Sequence, residues 1–236
     1  MITRRRILVL TAGGSFCNGT SGLWAASGFW NRKASTQWSP EEIQQLTTRS
    51  PWAKETNLDF EAAEGGHFQV PGSGSPYGGT DGQGRGATIE RPTGTMKSAP
   101  VVVRWESAKP IRDALLIPLP REFEGHYVLS VSNVPPTAMN PEKRNSPDAQ
   151  PVTLQQMTGE LQAASTLQAA GKDAAGAGLV RRATGLESTY LFGFAKEFLT
   201  LTAADKEVVF LLRTNRVSVK AKFQPREMLY RGTLAL

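Results

Sequence analysis

Five side chains of the kinds that move protons or steady negative charge fall within one short stretch of the chain: Arg104, Glu106, Asp113, His126 and Tyr127. A carboxylate or an imidazole supplies a general base, and an arginine stabilises developing negative charge, so catalysis would be sought here first. Arg104 and Glu106 stand two apart in "PVVVRWE", which places both on one face of a strand. Two opposite charges on such a face read most simply as a surface ion pair of small energetic value. His126 opens a second β-rich run, "HYVLSVSNV", where a strand-end imidazole stays half exposed. The catalytic reading is therefore a small periplasmic enzyme using Arg104, Glu106 and His126. The pieces that usually accompany such a site are missing from the sequence: there is no Gly-x-Ser-x-Gly elbow, no His-Glu-x-x-His pair and no acidic calcium loop.

Other candidates carry less. Cys17 is the only cysteine, which excludes an internal disulfide and a cysteine-rich zinc site. His67 has no second ligand beside it in sequence. Gly82-Gln83-Gly84-Arg85-Gly86 resembles the start of a phosphate cradle, but a cradle needs a buried strand before it and a helix after it, and the flanking sequence offers neither. No cofactor and no metal are expected. Trp30, Trp38, Trp52 and Trp105 supply aromatic area suited to packing or to recognition. Trp52, Arg104, Trp105 and Glu106 together form the candidate binding surface.

These residues must be held by ordinary secondary structure. Ser39-Pro40-Glu41-Glu42 carries a cap, a proline suited to the first helical position and a glutamate that reaches back, which predicts a short helix stopped by Ser50-Pro51. After Trp52 the chain reads as irregular. Nine of the 22 residues from 65 to 86 are glycine, a composition that marks a linker or long loop. Beyond it, strands are expected over residues 100–106 and 127–134, with a short helix between them through Ile111 and Leu115. Thr153 and Gln156 form another capping box, opening a helix toward Leu167. Further strands are expected over residues 189–194, 207–213, 216–223 and 228–236. The clearest of these alternates Val217, Val219, Ala221 and Phe223 with Ser218, Lys220 and Lys222, and the last is expected to pair into the sheet. The fold class that follows is α+β: an antiparallel sheet of about five to six strands with two or three short helices. The expected organisation is an export signal over 1–28, a short helical segment over 29–64, a Gly/Pro/Ser-rich linker over 65–98 and the α+β domain over 99–236.

The beginning of the chain bears on location. Arg4, Arg5 and Arg6 precede Ile7, Leu8, Val9 and Leu10, the order of a charged start followed by an apolar run that secretory signals use. Thr3 with two arginines, any residue and two apolar residues also matches the twin-arginine export pattern. Asn18 and five glycines between Gly13 and Gly28 make the run a poor membrane span, so cleavage near Phe29 is expected. Bulky Phe16 before Cys17 argues against lipidation. The competing reading makes residues 7–10 a core strand. The net charge of +6 falls to 24 basic against 21 acidic residues without the three leading arginines, and no basic block follows them. Nucleic-acid binding is therefore not expected, and membrane contact only through the signal.

Taken together, "WSPEE", "SPWA", "VRWESA" and the closing Met228-x-Tyr230-x-Gly232-x-Leu234 make the chain resemble a group of exported proteins of soil bacteria. The resemblance spans most of the chain. It implies a location outside the cytoplasm and brings no activity, cofactor or catalytic residue with it. The expected function is a non-catalytic binding or structural module of the periplasm or cell envelope, whose partner would be an envelope protein or a glycan.

Overall fold

Every piece of this chain that alternates apolar and polar residues has to bury one face, and here the buried faces share one core. The computed structural model describes residues 28–60, 98–135, 153–183 and 188–236. The leading segment with Arg4, Arg5, Arg6 and Cys17, the alternative strand over 7–10, and the glycine-rich stretch with His67 all lie outside the described residues.

The expectation of a five-to-six-stranded α+β fold is overturned. Among the described residues the fold is mostly sheet: nine antiparallel strands in one curled sheet, a two-stranded ribbon, and a few short helices. The strands are β1 (Ala53–Phe60), β2 (Ser98–Trp105), β3 (His126–Ser132), β4 (Ser165–Ala169), β5 (Ala175–Gly176), β6 (Leu179–Arg182), β7 (Tyr190–Ala195), β8 (Val208–Arg213) and β9 (Val217–Phe223), in spatial order β5-β4-β8-β9-β1-β2-β3-β7-β6. The sheet is larger than expected because several strands come from segments without a clean period of two. β1 is polar over most of its length, yet it is zipped to β2 from Ala53 opposite Arg104 to Asp59 opposite Ser98. β4 follows directly on a helix and had read as its continuation. β5 and β6 lie in Ala/Gly-rich sequence with little strand propensity of its own.

The sheet curls until its two ends meet one bent run, residues 175–182. The first half of this run pairs with β4 and the second with β7. Between the halves, the Ala177 amide donates to the Ser165 carbonyl at 3.1 Å and the Gly178 amide to the Gly193 carbonyl at 2.9 Å. Curling brings side chains of distant strands together inside. Phe210 on β8 meets Phe192 and Phe194 on β7 with ring centroids 5.4 and 6.2 Å apart, and Trp105 on β2 meets Phe223 on β9 at 5.6 Å. These edge-to-face contacts each add to the burial of the rings themselves.

Helices α1 (Phe29–Arg32), α2 (Pro40–Thr48) and α3 (Lys109–Leu115) gather near the strand ends that carry Ala53 and Trp105, while α4 (Leu154–Ala163) packs by β6. Both capping boxes form. The Glu42 amide donates to Ser39 Oγ at 3.2 Å and the Ser39 amide to Glu42 Oε2 at 2.9 Å, and Thr153 and Gln156 make the matching pair. α4 ends at Ala163, where the Ser165 hydroxyl turns back to donate to the Leu161 carbonyl. Residues 228–236 do not join the main sheet. They fold into a ribbon of β10 (Leu229–Tyr230) and β11 (Thr233–Leu234) around Arg231 and Gly232, whose φ values of 51° and 81° belong to a tight hairpin turn with two left-handed residues. The ribbon is tied to the first helices: Trp52 Nε1 donates to the Ala235 carbonyl at 2.8 Å, and Trp38 packs edge-on to Tyr230. Phe29, Trp30, Trp38 and Trp52 form one aromatic cluster at this end of the sheet.

Candidate functional site

The structure places the residues singled out in the sequence in several different local settings. Arg104 and Glu106 do meet, with the guanidinium Nε and Nη2 donating to Glu106 Oε1 at 2.9 and 2.6 Å. The pair is not the surface pair expected from the strand pattern, because α2 covers that face and leaves the side chains only 12% and 11% exposed. Arg104 Nη1 also donates to the Thr47 carbonyl of α2 at 3.3 Å. Arg104 thus clamps α2 to the sheet. Trp52 and Trp105 are fully buried and serve the core. His126 is held through Nδ1, 2.8 Å from the Glu124 carbonyl. Tyr127 uses its hydroxyl to accept from the Leu201 amide, and Asp113 is shared by Lys109 and the Tyr230 hydroxyl. Most of these groups make contacts that hold the fold together.

A different place has the form of a site. β1 and β9 pair only over Leu58, Asp59 and Phe60, and toward Ala53 the two strands part. Thr56 Oγ1 spans the gap by donating to the Lys220 carbonyl at 3.1 Å. Below that link a cleft of about 690 Å³ opens, walled by Trp30 and Pro51 and lined by Gln45, Arg49, Ser50, Lys54, Glu55 and Glu227. Its size falls in the range of small-molecule sites.

Three elements supply its chemistry. Lys54 comes from β1 at the point where the strands separate. Glu227 comes from the turn Pro225–Glu227 that carries the chain away from β9, and Trp30 comes from α1. Burial pushes the Lys54 ammonium below its ordinary range, and the Glu227 carboxylate pushes it back up. The two nonetheless form no ion pair, and among the described residues Lys54 has no hydrogen-bond partner. Glu227 Oε1 is buried without a partner, as is the indole Nε1 of Trp30. Buried polar atoms are nearly always satisfied, so an unsatisfied carboxylate oxygen on a residue that shares the cleft with a lysine lacking a partner among the described residues is an uncommon conjunction.

The remaining polar groups are occupied. Arg49 Nε bonds Glu55 Oε2 at 2.6 Å on the rim, with side chains 75% and 44% exposed, a geometry of little energetic weight. The Ser50 hydroxyl donates to the Leu46 carbonyl at 2.7 Å and accepts from the Trp52 amide at 3.1 Å, so it is a turn former and no nucleophile. No periodicity in the sequence could have joined Trp30, Lys54 and Glu227, which meet only through the strand order. Among the described residues no cluster of His, Cys, Asp and Glu could hold a metal ion, and no helix is long and apolar enough to cross a membrane. Comparison with protein-family models, with curated proteins and with solved structures finds no match.

Proposed function

We propose that this chain is a binding module of the bacterial cell envelope, exported by its arginine-led leading segment, and that the cleft beside β1 takes a small polar ligand. One observation carries the binding reading: a half-buried lysine with no partner among the described residues lines the same cleft as a carboxylate with an unpartnered oxygen, and the cleft is large enough for a ligand. Removing these charges partly from water without pairing them is unfavourable, and a ligand that pairs them recovers that loss. A rigid sheet holds the lysine, the hairpin-linked turn after β9 holds the glutamate, and the aromatic cluster behind Trp30 fixes the wall. Ser50 takes no nucleophilic part here, since its hydroxyl is engaged at both ends.

Differential scanning fluorimetry with amino acids, short peptides and sugars tests the proposal. A ligand at a hundred times its Kd raises unfolding free energy by about 2.7 kcal/mol, enough for a clear rise in Tm. The Lys54→Met variant is expected to abolish that rise, and absence of any saturable rise across the panel would refute the binding reading. The export half of the proposal is tested apart from it, by sequencing the N-terminus of the protein from fractionated cells. A start near Phe29 outside the cytoplasm supports it, and an intact Met1 in the cytosol refutes it.

A further inference from the structure

We infer that the cleft selects a zwitterion of amino-acid to short-peptide size, whose carboxylate meets Lys54 and whose ammonium meets Glu227. The inference rests on the reading of the cleft as a binding site and adds the chemistry of its ligand. Four charged side chains line the cleft, two of each sign. Arg49 and Glu55 neutralise each other on the rim, which leaves one positive and one negative group inside. Among the described residues neither of these two is paired, and each is partly removed from water.

Charge complementarity then discriminates among ligand classes. A simple anion pairs Lys54 but sets a second negative charge near Glu227. A simple cation pairs Glu227 and opposes Lys54. A neutral polyol satisfies hydrogen bonds and leaves both charges uncompensated. Only a ligand carrying both signs pairs both groups at once, and the misplaced charges of the others act as repulsion against them. Trp30 forms one wall of the cleft. The indole cannot turn freely. It stacks edge-on against Phe29 and Trp52 at 5.1 and 5.5 Å, and it lies so close over Gly28 that a Cβ there would fall 2.2 Å from the ring. Glycine at 28 is thus a requirement of the indole's position.

Isothermal titration at neutral pH with four dipeptides separates the possibilities: Ala-Ala, N-acetyl-Ala-Ala, Ala-Ala-amide and the doubly blocked N-acetyl-Ala-Ala-amide, with glucose as a neutral polyol. Ala-Ala is expected to bind at least tenfold more tightly than either singly blocked form, and the doubly blocked form and glucose weakest of all. Lys54→Met is expected to erase the advantage of a free carboxylate while keeping that of a free ammonium, and Glu227→Gln to do the reverse. Equal binding of a blocked peptide or of glucose overturns the zwitterion and leaves the cleft a binding site. Binding by none of the five overturns both readings. Should either variant fail to fold by circular dichroism, the wild-type series alone decides.

Discussion

Replacing Glu106 by alanine is expected to cost this protein a large part of its stability, although the residue touches no ligand site. In the folded state the Arg104 guanidinium has three bonds, two to Glu106 Oε1 and one to the Thr47 carbonyl. The alanine variant removes two of the three bonds and the carboxylate paired with Arg104, whose side chain is 12% exposed in the intact pair. Breaking a buried pair from one side costs roughly 3–5 kcal/mol. For a protein of 150–250 residues each kcal/mol moves Tm by about 2–4 °C, so a fall of roughly 6–20 °C is expected. Thermal unfolding followed by tryptophan fluorescence reads this directly, because the buried indoles report the same core. The double variant Arg104→Met with Glu106→Met removes both charges and fills similar volume, and should recover most of the loss. Two results would refute the reasoning: a Glu106→Ala cost below about 1 kcal/mol, which is the behaviour of a hydrated pair, or a double variant as damaged as the single one.

Two other perturbations probe distinct features of the fold. Gly193 on β7 lies beneath the buried ring of Phe123, and a Cβ there would sit 2.9 Å from the ring; Gly193→Ala should therefore destabilise by about 1–3 kcal/mol in urea unfolding, and a neutral result would show that Phe123 can yield. Asp205 is pushed up by burial, but Lys172 and the Thr202 amide and hydroxyl outweigh that and hold its carboxyl below the usual range, so its contribution is present above the ordinary carboxylate pKa and lost as pH falls through the lower folded value. Melting curves from pH 7 down to about pH 2 should show Asp205→Asn less stable at neutral pH and converging on the wild type in acid; parallel curves would refute the linkage.

Local signals in the sequence were legible where the chain decides its own conformation. Ser39 with Glu42 and Thr153 with Gln156 close as capping boxes, and the alternation of residues 217–223 forms β9 with Val217, Val219, Ala221 and Phe223 inward. What could not be read is decided by neighbours. β1 carries Lys54, Glu55, Thr56 and Asn57 in succession, and becomes a strand because β2 offers seven register partners. Leu167 continued the apolar spacing of α4, so β4 was hidden in a helix pattern. The cleft was invisible for the same reason, since it exists only where β1 leaves β9. Arg104 and Glu106 were legible as a pair, but their burial belongs to α2 and Thr47.

The bent run at residues 175–182 guards the protein against self-association. A sheet with two open margins offers rows of unsatisfied amides and carbonyls on which a second chain can grow as a further strand, the first step of aggregation. Here β4 and β7 give their outward bonds to the same short stretch, with Ala177 and Gly178 crossing from one to the other. Glycine and alanine suit that crossing because small residues let the backbone change direction between partners. A substitution that straightened it would unseal both margins at once, and the damage would appear first as self-association rather than as unfolding.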